Sequence, residues 1–318
     1  MKLPTRPLEL GYQGINHLRR GLYRRGILKT RALPRPVISI GNIAIGGSGK
    51  TPAAIAVARH LTRIGYRVAI LTRGYGGSET SGWALVDVPD ARRFGDEPVV
   101  IAERLPECRV IVGADRYRAG IEFLGLEDCD VFILDDGFQH LQLHRDLDIV
   151  IDDPTARWNR EGRSALRDAD IVLLRAASSD GGPTPEDPRV RAVLEASGFR
   201  KGETRGRLEE LRGKKCLAMS GLARNGRFFD MLSEAGIDLV GAYGFPDHHD
   251  YSAADLSRVV SLRDSTGAEL ILTTEKDAVK LPAEFECTII EADMKFIPEE
   301  AFYALVAEEL LRLQETRL

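Results

Sequence analysis

Short apolar runs separated by polar turns recur along the chain, and the first of them is Pro36-Val-Ile-Ser-Ile40. A glycine-rich loop follows it, and residues 51–64 then repeat apolar side chains at a helical period. Further strand-like runs lie at 67–72, 83–88, 109–112, 131–135, 147–151 and 171–174. Because helical patterns alternate with several of these runs, the sequence predicts a mostly parallel α/β sheet with helices on both faces.

A second α/β series follows a turn-rich stretch at 178–188 and a charged, weakly periodic stretch at 200–212. We interpret the first stretch as a loop and the second as a linker. The predicted strands of this series are 215–219, 238–243, 269–273 and 287–291, and its predicted helices are 226–235, 253–265 and one from about 298. These patterns predict a larger domain at 31–204 and a smaller C-terminal α/β domain at 205–318.

The N-terminal segment has a basic, amphipathic pattern. Its apolar residues are spaced by three or four positions and share one helical face: Leu8, Tyr12, Ile15, Leu18 and Leu22. Residues 1–36 hold nine Lys or Arg and one acid, Glu9, so this segment is +8 within a chain of net charge −4. Arg20, Arg24 and Arg25 lie off the apolar stripe. The pattern predicts a segment at 1–30 that docks on an anionic membrane surface. The alternative is a surface helix packed on its own domain, and four glycines weaken the helix prediction.

Composition narrows the class of protein. The chain has 318 residues, 43% hydrophobic and 29% charged, as is usual for a globular protein. No apolar run approaches the roughly 18 residues that span a bilayer, and no signal-peptide core opens the chain, so we expect a peripheral protein that stays in the cytoplasm. The four cysteines form no zinc pattern, and the negative remainder of the chain disfavours nucleic-acid binding.

The loop after the first run, Ala44-Ile-Gly-Gly-Ser-Gly-Lys-Thr51, has the order of a P-loop. Glycines let backbone N–H groups surround phosphate oxygens, Lys50 can reach the β- and γ-phosphates, and the Thr51 hydroxyl can ligate Mg²⁺. The predicted phosphate-binding residues are Gly46, Gly47, Ser48, Gly49, Lys50 and Thr51. Ala44 replaces the first glycine of the usual pattern. Partitioning-type ATPases carry a lysine where Ile45 stands, and the switch-GTPase motifs do not fit, so neither class is favoured.

Two further groups carry candidate chemistry. Val131-Phe-Ile-Leu-Asp-Asp136 is an apolar strand that ends in two acids, as expected beside a P-loop strand, where an aspartate holds Mg²⁺. Only one of Asp135 and Asp136 need face the metal, unless the strand has already ended. Asp96 and His248 form a plausible pair for activating an acceptor hydroxyl. From spacing alone, Asp96 can equally cap a helix and His248 can be a structural residue of a turn.

These residues occur in order with several other short motifs: Gly41-Asn42, Arg73-Gly-Tyr75, Gly95-Asp-Glu-Pro98, Asp115-Arg-Tyr117, Asp135-Asp-Gly-Phe-Gln-His140, Arg145-Asp-Leu-Asp148, Phe245-Pro-Asp-His248 and Thr274-Glu-Lys-Asp-Ala-Val279. Together they resemble the tetraacyldisaccharide 4′-kinase (lipid A 4′-kinase) family of Gram-negative bacteria. The resemblance runs from about residue 8 to 281. It implies a two-domain P-loop fold at the cytoplasmic face of the inner membrane, and it does not imply a protein partner.

The resemblance also implies a reaction, the transfer of the γ-phosphoryl group of Mg-ATP to the 4′-hydroxyl of a lipid A disaccharide 1-phosphate. By motif, Lys50 and Thr51 would serve the nucleotide and Mg²⁺, and Asp135 and Asp136 the metal. Asp96 with His248 would activate the hydroxyl, with His140 in the same site.

Two departures from the family pattern affect the expected acceptor site. The 153–168 region is short and lacks the Leu-Pro-Ala-Gly run, so we expect the Arg-Glu pair of the relatives to be absent. Leu141 stands where an arginine commonly follows the Gln-His pair. These departures leave two alternatives open, a same-family kinase for a different glycolipid and a non-catalytic, nucleotide-gated membrane adaptor.

Overall fold

The computed structural model describes residues 6–79, 82–176 and 189–316, so the loop expected at 178–188 lies outside the described residues. In the first half, the helices are α1 Arg6–Arg24, α2 Lys50–Arg63, α3 Ala91–Phe94, α4 Asp96–Arg104 and α5 Arg116–Leu124. The strands are β1 Val37–Asn42, β2 Val68–Thr72, β3 Trp83–Leu85, β4 Arg109–Gly113, β5 Val131–Asp135, β6 Leu147–Asp152 and β7 Ile171–Ala176. Within the described ranges, no helix has the length and apolar character needed to cross a membrane.

The second half continues the alternation. Its strands are β8 Arg191–Lys201, β9 Thr204–Gly206, β10 Lys215–Ser220, β11 Asp238–Gly244, β12 Leu270–Thr274 and β13 Thr288–Ile297. Its helices are α6 Asn225–Glu234, α7 Ala253–Thr266, α8 Glu275–Ala278 and α9 Glu299–Glu315. The prediction of a linker at 200–212 is wrong. β8 and β9 form an antiparallel pair across this region, and a 3₁₀ turn at Leu208–Leu211 buries Leu211.

The thirteen strands of the described residues belong to one sheet, in the order β11-β10-β12-β13-β8-β7-β6-β1-β5-β2-β4-β3, with β9 on β8. The pairs β3–β4, β8–β13 and β8–β9 are antiparallel and the others are parallel. The predicted α/β class, a mostly parallel sheet with helices, is therefore confirmed. The division into 31–204 and 205–318 stays a prediction, and the sheet passes through it by the pairing of β8 with β13.

The largest apolar core packs α2 against β1 and its neighbours. Ile38 and Ile40 of β1 and Leu61 of α2 are fully buried. Three residues of α9 at helical spacing are fully buried in the same core: Phe302, Val306 and Leu310. The last helix therefore covers the P-loop half of the sheet, although it comes from the far end of the chain.

Helix α1 lies on the protein through polar side chains. Arg20 is 5% exposed and forms an ion pair with Glu161, and its guanidinium lies 4.0 Å from the ring centre of Phe138. Tyr12, Ile15 and Leu18, three members of the predicted apolar stripe, are more than half exposed on the other side: 51%, 66% and 64%. The helix thus packs on its own domain, as the alternative expected. It does so through its polar face, and the apolar stripe faces outward.

Candidate active site

The P-loop lies between β1, which is buried along its whole length, and the first turn of α2. Gly46 and Gly49 have φ angles of 99° and 87°, a left-handed backbone that favours glycine. The Asn42 side-chain amide donates a hydrogen bond of 2.6 Å to the Ser48 hydroxyl. This bond ties the end of β1 to the loop and fixes its turn before the helix begins at Lys50.

The two aspartates reach the P-loop together. β5 pairs with β1 in parallel, and the Thr51 hydroxyl donates a hydrogen bond of 3.0 Å to Asp135 Oδ2. The Lys50 ammonium lies 3.6 Å from Asp136 Oδ1. β5 ends at Asp135, and Asp136 takes a left-handed φ of 53°. Asp136 therefore lies beyond the end of the strand, and both carboxylates face the P-loop instead of only one.

Their electrostatics differ. Burial raises the pKa of Asp135, with Glu97 and Asp136 adding to the effect and Lys50 opposing it. Burial also opposes ionisation of Asp136, but Lys50 and Arg160 outweigh it and lower the pKa of that carboxyl. Asp136 is therefore the ionised member of the pair, and Asp135 binds a proton readily unless a cation is near.

These residues fit a magnesium ion. Asp135 Oδ1 and Asp136 Oδ1 are buried and accept no hydrogen bond from the described residues. The described part of the chain has no group of three or more His, Cys, Asp and Glu arranged for a metal. Mg²⁺ does not need one, because it usually takes one or two carboxylates together with substrate phosphates and water. Thr51, Asp135 and Asp136 could therefore hold Mg²⁺ beside a bound nucleotide.

Asp96 and His248 meet across the molecule. Asp96 is the first residue of α4, and its Oδ1 accepts a hydrogen bond of 2.9 Å from the Glu97 amide. Its Oδ2 lies 3.0 Å from His248 Nδ1. His248, in the loop between β11 and α7, has a left-handed φ of 55°, and the Tyr75 ring lies 5.0 Å from its ring centre. The structure therefore brings this predicted pair together, with Asp96 also at the start of a helix.

Lysines surround the pair. The hydrogen bond to Asp96 raises the pKa of His248, against burial and Lys276. Burial raises the pKa of Asp96, but His248, Lys276 and Lys280 outweigh it, and the net pKa is lowered. Lys276 Nζ lies 3.2 Å from His248 Nε2. A charged Lys276 can donate only to a neutral imidazole, which then carries its proton on Nδ1 and donates it to Asp96.

Sequence reasoning missed two residues that lie beside the Asp96–His248 pair. Lys276, to which the sequence assigns no role, lies between His248 and Glu97, and its Nζ is 3.2 Å from Glu97 Oε1. The Glu97 charge also acts on Asp135, whose pKa it raises. Both residues belong to motifs used for the family resemblance, and this was the only signal that could have found them.

His140 lies near the site but apart from the pair. Burial, with Arg116 and Arg145, lowers the pKa of His140 to about 3, so the ring is neutral. Its Nε2 is buried without a hydrogen-bond partner, and among the described residues its ring bonds neither Asp96 nor His248. The catalytic role assigned to His140 stays a prediction.

The expectation that an Arg-Glu pair is absent is wrong. Arg160 NH1 lies 3.3 Å from Asp136 Oδ2. Glu161 forms an ion pair with Arg20 and accepts a hydrogen bond of 3.0 Å from the Gln139 side-chain amide. The segment holds its place because its backbone pairs with the P-loop: the Ile45 amide donates to the Trp158 carbonyl. The shortened region therefore keeps an arginine and a glutamate at the site.

Comparisons with known proteins agree with this geometry. The family model described as Tetraacyldisaccharide-1-P 4′-kinase matches residues 1–311. Proteins named tetraacyldisaccharide 4′-kinase include one from Geobacter sulfurreducens, 40% identical over 86% of this chain and 82% of its own length. Another, from Aromatoleum aromaticum, is 40% identical over 92% of this chain and 87% of its own length.

A solved structure extends the agreement to three dimensions. The crystal structure of LpxK from Aquifex aeolicus in complex with ATP superposes with a TM-score of 0.77 and 32% identity. The match covers 96% of this chain and 98% of that one. The similarity therefore includes both halves of the sheet.

Proposed function

The chain belongs to the tetraacyldisaccharide 4′-kinase family, and we propose that it phosphorylates the 4′-hydroxyl of a lipid A disaccharide 1-phosphate. It is an ATP-dependent kinase of lipid A biosynthesis. The observation that carries the proposal is the assembled Asp96–His248 pair, which Lys276 joins to Glu97, in a chain whose P-loop brings Lys50 beside Asp136. A donor phosphate and an acceptor hydroxyl need these two groups side by side.

In the proposed reaction, the acceptor oxygen bonds the γ-phosphorus, the bond from that phosphorus to the leaving oxygen of ADP breaks, and the hydroxyl proton passes to Asp96. Lys50 offsets the negative charge on the phosphates. Because His248 and the lysines lower the pKa of Asp96, this carboxylate is a weak base that orients the hydroxyl and takes its proton late. A loose phosphoryl-transfer transition state suits such a base, since positioning and electrostatics supply most of the rate.

Thr51, Asp135 and Asp136 would hold Mg²⁺, which when bound would supply positive charge against the phosphates. The raised pKa of Asp135 supports this assignment, because it reflects a buried carboxyl beside other acids that lacks counter-charge, which a cation would supply. Asp135 must lose its proton to hold the metal, so binding should strengthen as the pH rises.

We also propose that the protein works at the cytoplasmic face of the inner membrane, with α1 against the bilayer. The exposed side chains of Tyr12, Ile15 and Leu18 support it, because a protein in water gains nothing from an outward apolar face. Basic groups contribute less than their number suggests, since Arg20 and Arg24 are bonded to Glu161 and Asp168. Apolar insertion is thus the main contribution to docking.

Two alternatives can be weighed against this. A nucleotide-gated adaptor is not favoured, because the relatives are named as kinases and the acceptor-activating pair is assembled. A kinase for a different glycolipid would keep the same donor site. The presence of Arg160 and Glu161 at the site removes the main reason for expecting a changed acceptor.

The test is transfer of labelled γ-phosphate from Mg-ATP to purified lipid A disaccharide 1-phosphate in detergent micelles. We expect label at the 4′ position for the wild-type chain and its loss in Lys50→Ala. Label on another glycolipid but not on this one would favour the different-acceptor kinase. ATP binding without transfer to any lipid would overturn the proposal.

The membrane proposal has a separate test, sedimentation with vesicles of zwitterionic and anionic phospholipids. We expect the double substitution Ile15→Glu and Leu18→Glu to reduce vesicle binding at least about tenfold, since each buried leucine-sized side chain contributes about 1.5–3 kcal/mol. Leu311→Glu, which changes an exposed leucine of α9, is the matched control. Equal binding by all three proteins would contradict the placement of α1.

A further inference from the structure

A second charged cluster borders the P-loop, around the buried carboxylate of Asp153, just after β6. The Asp153 side chain is 1% exposed and accepts hydrogen bonds from Arg227 NH2 at 3.0 Å and Arg224 NH1 at 3.3 Å. The Thr155 amide and hydroxyl donate to it as well, at 3.0 and 2.7 Å. Both arginines come from the other half of the chain, Arg224 just before α6 and Arg227 in its first turn.

Positive charge exceeds negative charge in this cluster. Arg175 of β7 is a third guanidinium beside Asp153, and its Nε is buried with no hydrogen-bond partner among the described residues. Burial lowers the pKa of Arg175 to about 10, and the charges of Arg227 and Arg224 add to this effect while Asp153 opposes it. The neighbouring carboxylate Asp152 does not balance them, because it is bonded to Arg163 and Arg189. An anion would relieve this excess.

The cluster lies against the part of the P-loop that precedes Lys50. Arg227 NH1 is 3.4 Å from the Gly47 carbonyl oxygen. A Cβ placed on Gly46 would lie 4.0 Å from Arg224 Nε and 3.6 Å from Ala223 Cβ. Phosphates bound by P-loop amides lie within a few ångströms of these glycines. The guanidiniums are therefore within side-chain reach of a nucleotide phosphate.

Of the two arginines, Arg227 is the better positioned. Asp153 and Thr155 both bind its NH2, whereas NH1 has only the long contact to Gly47. A guanidinium has five N–H donors, so donors remain on the side of the loop. Its charge is also permanent, and its planar fork suits phosphate oxygens.

We propose that Arg227, positioned by Asp153, binds the terminal phosphate of the nucleotide held by the P-loop. This inference rests on the proposed function, which supplies ATP as the ligand. Lys50 then reaches the phosphates from the loop itself, and Arg227 reaches them from α6 in the second half of the chain. P-loop enzymes that use an arginine on the transferred phosphate gain a large part of their rate from it.

The test is equilibrium binding of Mg-ATP and Mg-ADP to the full chain by isothermal titration calorimetry. In Arg227→Ala we expect the affinity for Mg-ATP to fall at least about tenfold and that for Mg-ADP to fall less than about threefold, since a charge-assisted hydrogen bond to the terminal phosphate is the contact removed. Arg227→Lys should lie between the two, because it keeps the charge and loses the fork. Arg258→Ala, which removes an exposed arginine of α7, is the matched control.

Thermal unfolding separates a binding role from a structural one. Arg227→Ala leaves Asp153 paired with Arg224 and Thr155, so we expect a folded variant. A lowered unfolding midpoint with an unchanged ratio of ATP to ADP affinity, in both Arg227→Ala and Arg227→Lys, would mean a purely structural ion pair and overturn the inference. An unchanged affinity ratio in both variants, together with normal phosphate transfer to the lipid, would leave the proposed function intact. Loss of the ATP preference in Arg227→Ala, with no lipid phosphorylated by the wild-type chain, would support the inference and contradict the proposed function.

Discussion

The carboxylate of Asp96 is the group whose removal tests the catalytic proposal most directly. Asp96→Asn keeps the size of the side chain and its acceptor oxygen but cannot take a proton. The substitution leaves Lys50, Thr51 and the P-loop unchanged, and Asp96 is not in contact with them. We therefore expect turnover to fall while nucleotide binding remains.

The magnitude follows from the surroundings of the pair. A positioned general base contributes about 10²–10⁴-fold. Because His248, Lys276 and Lys280 hold the pKa of Asp96 low, we place the loss in kcat at about 10²–10³-fold, or about 3–4 kcal/mol at about 1.4 kcal/mol per factor of ten. The free energy of unfolding should also fall by about 1–3 kcal/mol, since the buried Lys280 loses one of its two carboxylate neighbours.

The assay is single-turnover transfer of labelled γ-phosphate with the variant saturated in Mg-ATP, beside calorimetric nucleotide binding. Asp250→Asn, an exposed aspartate in the loop that carries His248, is the control for charge change. Urea unfolding confirms that the variant is folded at the assay temperature. Turnover within about threefold of the wild type would refute the role of Asp96, because such a change is below the effect of any positioned base.

Three further predictions test other parts of the structure. Asp135→Asn should raise the Mg²⁺ concentration for half-maximal transfer at least about tenfold, measured by metal titration, and an unchanged requirement would exclude Asp135 as a ligand. Asp96 raises the pKa of His248 above its ordinary value of 6.5. The protonated ring therefore stabilises the fold fully at pH values below 6.5, and this stability is lost as the pH rises through the raised pKa. His248→Asn, which suits the left-handed backbone, should therefore cost most in urea unfolding at low pH, and a pH-independent difference would contradict this. Arg20→Ala should destabilise the chain by about 3–5 kcal/mol, because Glu161 stays buried, whereas Arg25→Ala should have little effect on the urea midpoint.

The parts of the fold that depend on local pattern could be predicted from the sequence. Strand, glycine loop and helix around Lys50 follow from neighbouring residues, and so does the apolar strand that ends at Asp135. β8 could not be predicted, because charged residues interrupt its apolar positions and its stability comes from pairing with β13, far away in the chain, and β9 depends in turn on pairing with β8. Non-local pairing of this kind leaves little signal in a short window.

The same distinction applies to the site. The P-loop residues share one segment, so their proximity was certain once the loop was recognised. Asp96 and His248 were only a plausible pair, since nothing local indicates that a contact will form across 152 positions. The sequence assigns no role to Lys276 for the same reason, because a single lysine resembles any solvated charge until its partners are known.

The covering of the P-loop half by α9 has a consequence for synthesis on the ribosome. Ile38 and Leu61 emerge early, whereas Phe302 and Val306, which complete their core, emerge last. Until then the growing chain exposes an apolar surface that chaperones bind. Chains that stop before α9 should therefore be bound by chaperones or degraded instead of accumulating as folded protein.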